Sequence, residues 1–88
     1  MSIEEIRSLF VVIMGCDNRH DPGLTTEMAW QAGIDSNITL SEASAAVVAH
    51  YAESRDFVMI ADINRRCRAV AARAESWAYR GHEVASRI

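Results

Sequence analysis

Residues 60–88 read IADINRRCRAVAARAESWAYRGHEVASRI, and their spacing decides the fold class. Ile60, Ile63, Cys67, Val70, Ala74, Trp77, Gly81, Val84 and Ile88 follow one another at alternating steps of three and four. That rhythm is one face of an α-helix; a strand would alternate every second residue. Arg66, Arg73, Arg80 and Arg87 recur every seven residues beside the stripe, about 10.5 Å apart along the axis. Arg65 and Arg68 widen the basic surface at its start. The stretch is therefore expected to be a long helix, its apolar side packed on the body at least through Val70 or Trp77 and its arginine side turned outward. Gly81 weakens it by about 1 kcal/mol relative to alanine, so residues 78–88 are expected to fray or project.

Three shorter helices precede it. Ser2 with Glu5 three residues on is a capping box, and Ile3, Ile6, Leu9, Phe10 and Ile13 then share one face up to a stop at Gly15. Residues 16–24 are turn-forming, with Pro22-Gly23 the strongest breaker in the chain. A short second helix is expected over about Thr26–Ala32, capped by Thr25 or Thr26 and closed by Gly33, with Trp30 buried. Thr39 and Glu42 form a second capping box, opening a third helix to about Glu53 whose inner face is Ala43, Ala46, Val47 and His50 or Tyr51. Ser54-Arg55-Asp56 breaks the pattern, and Phe57-Val58-Met59 reads as an extended lead-in that pins the last helix. No segment alternates as a strand does. The fold class is all-α: one domain, residues 1–88, a small bundle of about four helices.

Composition agrees with a globular chain. Half of the 88 residues are apolar, 24 % are charged and there is one proline, which excludes a disordered tail. The longest apolar run, Leu9–Met14, is far short of the ~20 residues of a membrane span. Ser2-Ile3-Glu4-Glu5 places acid where a secretory leader places base. Two cysteines, Cys16 and Cys67, make no disulfide framework, and a reduced, cytoplasmic protein is expected. Charge is unevenly spread. Residues 1–63 hold ten carboxylates against three arginines, a net of −7, while residues 64–88 hold six arginines against two glutamates, a net of +4. All nine basic residues are arginine, and a GC-rich genome explains that without appeal to a partner.

Candidate chemistry is sparse. There is no Gly-rich phosphate loop, no paired-carboxylate motif and no Ser/His/Asp spacing, so no catalytic residue and no cofactor are expected. Cys16 and His20 lie four apart, but a structural zinc site would need ligands from distant helices as well, and no metal is expected. His50-Tyr51 reads as a half-buried pair at the core edge in preference to a proton-transfer pair. The arginines carry more information. If the stripe zipped two copies together, a parallel pair would offer alanine to each flanking arginine and an antiparallel pair would oppose arginine to arginine. A monomer or weak homodimer follows. The arginines either neutralise the chain's own acidic part or simply sit in solvent, meet an acidic protein partner, or meet nucleic acid. The net charge of −3 holds the last of these down.

The middle of the chain resembles a known family. Trp30, then Glu42-Ala43-Ser44-Ala45-Ala46-Val47-Val48-Ala49-His50-Tyr51, the Ser54-Arg55-Asp56-Phe57 break and Ala61-Asp62-Ile63 opening an arginine-rich helix look like the small phage loader-and-inhibitor proteins of the replicative DNA helicase, in their actinobacterial-phage form. The resemblance covers about residues 2–70. Where that family carries a proline before Ala-Asp-Ile, this chain has Ile60, and its closing stretch is heptad-patterned where the family's is flexible. Trp30 and Phe57 are expected to be large anchors of a small core, each contributing about 2–3 kcal/mol by burial. The resemblance implies a non-enzymatic adaptor that binds a host replicative helicase and hands it to a phage initiator. Arg65, Arg66, Arg68, Arg73 and Arg80 are the expected partner-facing surface. The alternatives are a small DNA-binding regulator using the basic helix, or a phage inhibitor of another host protein.

Overall fold

The computed structural model describes the backbone of residues 1–87 and the side chains of residues 1–75. Four helices follow in order: α1 (Ile3–Asp17), α2 (Leu24–Gly33), α3 (Leu40–Glu53) and α4 (Ile60–Arg87). The all-α reading holds, and no strand occurs among the described residues.

Both capping boxes form. The Ser2 hydroxyl accepts from the Glu5 N–H at 3.1 Å while the Glu5 carboxylate accepts from the Ser2 N–H at 3.0 Å. Thr39 and Glu42 make the same reciprocal pair, at 3.2 and 3.0 Å. Each box satisfies backbone donors that a helix start leaves without a partner.

Two helix ends differ from expectation. Gly15 does not stop α1, which continues to Asp17 and closes on Asn18 in the left-handed region at φ 60°. Asparagine tolerates that conformation, so the helix keeps two more residues than glycine alone suggested. Helix α2 starts at Leu24, earlier than Thr25 or Thr26 would allow as caps. Its first residue follows Gly23 at φ 80°, where no side-chain cap bond is made. A positive φ suits glycine, and the Asp21 carboxylate steadies the turn by accepting from the Gly23 N–H at 3.1 Å.

The core is built from one face of each helix. Ile6, Leu9, Phe10 and Ile13 of α1 meet Trp30 of α2, Ala43, Ala46 and Val47 of α3, and Ile63 and Cys67 of α4, with Ile34, Ile38 and Val58 from the connections. Phe10 and Trp30 pack with ring centroids 4.8 Å apart and planes tilted by 58°, a geometry aromatic pairs favour. Trp30 is an anchor as expected. Phe57 is not: it is 58 % exposed, whereas its neighbour Val58 is fully buried. Successive side chains of an extended segment face opposite ways, and the backbone bonds of Val58 fix which one turns inward. Its N–H donates to the Tyr51 hydroxyl at 3.0 Å and its carbonyl accepts from Arg19 at 3.0 Å. Phe57 instead lies under the Arg19 guanidinium, 4.7 Å from the ring centre.

Helix α4 docks at the end of α2 through Asn64 and Ile60. Buried Asn64 donates to the Gly33 carbonyl at 2.9 Å and accepts from the Asp35 N–H at 3.0 Å, reading two backbone groups at the end of α2. Ile60 presses on Gly33 so closely that a Cβ there would stand 2.9 Å from its Cδ1. The α4 stripe leaves the core sooner than its spacing suggests. Ile63 and Cys67 are buried, but Val70 is 56 % exposed. Cys67 already lies against the Glu42 carbonyl in the first turn of α3, so one turn further α4 has outrun its neighbour. The described side chains that follow, Ala71 to Glu75, are all exposed, and residues 78–88, expected to fray or project, lie outside the described side chains. Trp77 and the rest of the stripe lie outside the described side chains.

Candidate functional site

Where α4 runs back along α3, the two helices leave an open valley with a volume of about 680 Å³. On the α3 side it is lined by Ser41, Glu42, Ala45, Ala46, Ala49 and Glu53, and on the α4 side by Arg65, Arg66, Cys67, Ala69, Val70 and Arg73. Rows three or four residues apart run through each set, Ser41, Ala45, Ala49 and Glu53 on α3 and Arg66, Val70 and Arg73 on α4, so each wall is one helix face. The alanines explain the valley. Ala46 closes the floor against α4, while Ala45 and Ala49 are exposed and too small to fill the space beside it.

The walls differ in charge. Glu42 and Glu53 stand on α3; Arg66 and Arg73 stand on α4, one helical face apart by two turns. Arg66 spans the valley's end with a single Nη bond to Glu53 at 3.0 Å. That carboxylate is largely exposed, and the Arg66 Nε is shut from solvent without an acceptor. Five guanidinium donors with one protein acceptor leave Arg66 under-used. Among the described residues no carboxylate pairs with Arg73, which is exposed at the valley mouth.

The expected partner-facing arginines therefore divide. Arg65 pairs with Asp62 of the same helix at 3.2 Å. Arg68 grips Asp35 through two parallel bonds of 2.7 and 2.8 Å, tying α4 to the connection after α2. That side-on pairing and its charge hold the Arg68 guanidinium above its usual range. Arg65, Arg66 and Arg68 thus neutralise the chain's own carboxylates, as one of the three sequence readings allowed. Arg66 and Arg73 are brought together with the alanine floor, and Arg80 lies outside the described side chains.

The other titratable groups are engaged in holding the fold. Burial is the largest influence on Asp17 and acts to raise it, but hydrogen bonds from Arg19 and Tyr51 outweigh burial and keep its carboxyl below the usual range. Burial first, and the Asp17 carboxylate after it, push the Tyr51 hydroxyl up. His50 stacks edge-on against Tyr51 at 5.0 Å, and its Nε2 lies 2.7 Å from the Asp56 carbonyl. Burial, then the charges of Glu42 and Asp35, raise the Cys67 thiol, which keeps it protonated and unreactive. Cys16 is exposed, and no group of three metal-ligating side chains occurs among the described residues. No described helix is long and apolar enough to cross a membrane.

The valley itself was not read from the sequence. Its signal was the run of small residues Ala45, Ala46 and Ala49, of which the sequence analysis placed only Ala46, on the inner face of the third helix. No protein-family model, curated protein or solved structure matches this chain.

Proposed function

We propose that this chain is a non-enzymatic adaptor of the cytoplasm that acts by protein–protein contact, and that its partner is a replicative DNA helicase, as in the phage loader proteins it resembles. The observation that carries the adaptor reading is the uncovered α3/α4 valley, with its alanine floor and the two under-used guanidinium groups of Arg66 and Arg73 on one lip. An apolar trough with a few convergent charged groups is the usual form of a binding site. The assignment to replication rests on the likeness of residues 2–70.

Protein is favoured over DNA because Arg65 and Arg68 already face Asp62 and Asp35. Pairing removes the unneutralised charge that counterion release from phosphate would need. Capture of the purified replicative helicase of the natural host on immobilised protein tests the reading. Wild type is expected to retain the helicase, and Ala49→Arg, which fills the valley without touching the core, is expected to lose it. Equal recovery by the two proteins, or none by wild type, overturns the helicase reading. A duplex-DNA gel shift at low salt that vanishes as salt rises would favour the regulator instead.

A further inference from the structure

The valley has two walls of opposite sign, and that asymmetry specifies what fits between them. We infer that the occupant is an amphipathic α-helix of a partner protein, with small or aliphatic residues along its centre and two carboxylates seven residues apart on one flank. This deepens the adaptor reading and rests on it.

Three features carry the inference. First, both walls are helix faces, Glu42 to Glu53 spanning about 16 Å and Arg65 to Arg73 about 12 Å, so a guest helix of roughly two to three turns matches the trough in length. Second, Arg66 and Arg73 lie seven residues apart on α4, about 10.5 Å along its axis. Carboxylates at positions i and i+7 of a helix lying alongside repeat at the same interval. Arg66 makes one described Nη bond, to Glu53, which leaves its other Nη hydrogens for a guest, and Arg73 has no carboxylate partner among the described residues. Third, the opposite wall carries Glu42, which has no ion-pair partner among the described residues, so a guest acidic on both flanks would be repelled. The trough therefore selects the flank as well as the charge.

A second copy of this chain does not meet the description. No helix of the sequence carries carboxylates seven residues apart, and a second α4 would bring its own arginines against Arg66 and Arg73.

The test uses the full chain and two designed fifteen-residue helical peptides of identical Ala/Leu centre. One carries glutamate at i and i+7 on a single flank and glutamine on the other. The second carries arginine in place of the glutamates. Fluorescence anisotropy of the labelled peptides should show the acidic-flank peptide binding about tenfold or more tightly than its counterpart, with Arg73→Glu removing that preference. Arg73 is exposed and makes no described side-chain bond, so the variant keeps its fold; an unchanged melting curve verifies this. Amide shifts should fall on residues 41–53 and 65–73. Equal affinity for the two peptides, shifts centred elsewhere, or a sedimentation profile showing a dimer that hides residues 41–53 would each overturn the inference. Helicase capture separates the two levels. If capture persists while the peptides fail to discriminate, the adaptor uses another surface; if the peptides discriminate and the helicase is not captured, the trough has a different acidic partner.

Discussion

The Tyr51 hydroxyl donates to the Asp17 carboxylate, across a sequence separation of 34 residues, and so ties the end of α1 to the end of α3. The same oxygen accepts from the Val58 N–H at 3.0 Å and from an Arg19 Nη at 3.3 Å. One hydroxyl thus fixes the approach to α4 as well. Tyr51→Phe would leave the Val58 N–H without its acceptor and Asp17 with Arg19 alone. The expected cost is about 1–3 kcal/mol, read from urea unfolding with the slope unchanged. A shift under half a kcal/mol would mean that water replaces the hydroxyl without loss.

The same knot makes the fold acid-sensitive. Asp17 titrates below its ordinary range when folded, because the bonds from Arg19 and Tyr51 outweigh the burial that opposes them. A carboxyl lowered by folding stabilises the fold at pH values above its unfolded pKa, and that contribution is lost as pH falls through the folded value. Unfolding free energy should therefore drop below about pH 4. Glu5 and Glu42 act in the same direction, each held low chiefly by the backbone N–H of its cap residue, Ser2 or Thr39. Asp17→Asn should be less stable than wild type near neutrality and should converge on it in acid. Urea titrations across that range check this, and two parallel pH curves would refute it.

Two glycines should respond in opposite directions to one added methyl group. A Cβ on Gly15 would meet nothing within 4 Å, and the residue lies inside α1. Gly15→Ala should stabilise the protein by about 0.5–1 kcal/mol. On Gly33 the same atom would stand 2.9 Å from Ile60 Cδ1 and 3.1 Å from its Cγ2. There the strain of overpacking, about 1–3 kcal/mol, exceeds the helix-propensity gain, so Gly33→Ala should destabilise. Ile60→Val removes the nearer atom, and the double variant should recover part of the loss in a thermal melt. Additive losses would place the strain elsewhere.

What was legible in the sequence is what depends on neighbours along the chain. Ser2 with Glu5 and Thr39 with Glu42 announce their helix starts because a capping box closes within four residues. The inner faces of α1 and α3 follow from periodicity alone. Phe57 was expected to anchor the core and Val58 does so instead, because both are apolar and the choice is made by Tyr51 and Arg19, seven and 39 residues from Val58. Nothing along the chain marks Asn64 as a buried anchor, a role it takes only where α4 rests against the Gly33 carbonyl. The arginine rhythm was visible, but its division was not, since the acceptors Asp35 and Glu53 sit on other elements. The valley needs two helices side by side, and no single run of residues encodes it.

The point at which α4 leaves the body can be found by mutation, because a continuous apolar stripe crosses it. Ile63 is fully buried, and three residues past buried Cys67 the side chain of Val70 is more than half exposed. If burial and not spacing sets the energy, truncating the two should have very different effects. Ile63→Ala removes packed atoms from the centre of the core and should cost about 2–5 kcal/mol. Val70→Ala removes atoms that water already reaches on the valley wall, and should stay within about 0.5 kcal/mol. A heptad stripe clamped evenly along its length would give similar losses at both positions. Guanidinium unfolding of the two variants distinguishes these cases, and a loss at Val70 above about 1 kcal/mol would mean that something covers it in solution. Peptide anisotropy then gives Val70 a second readout, since a side chain idle in folding yet placed on the valley wall should weaken acidic-helix binding when truncated.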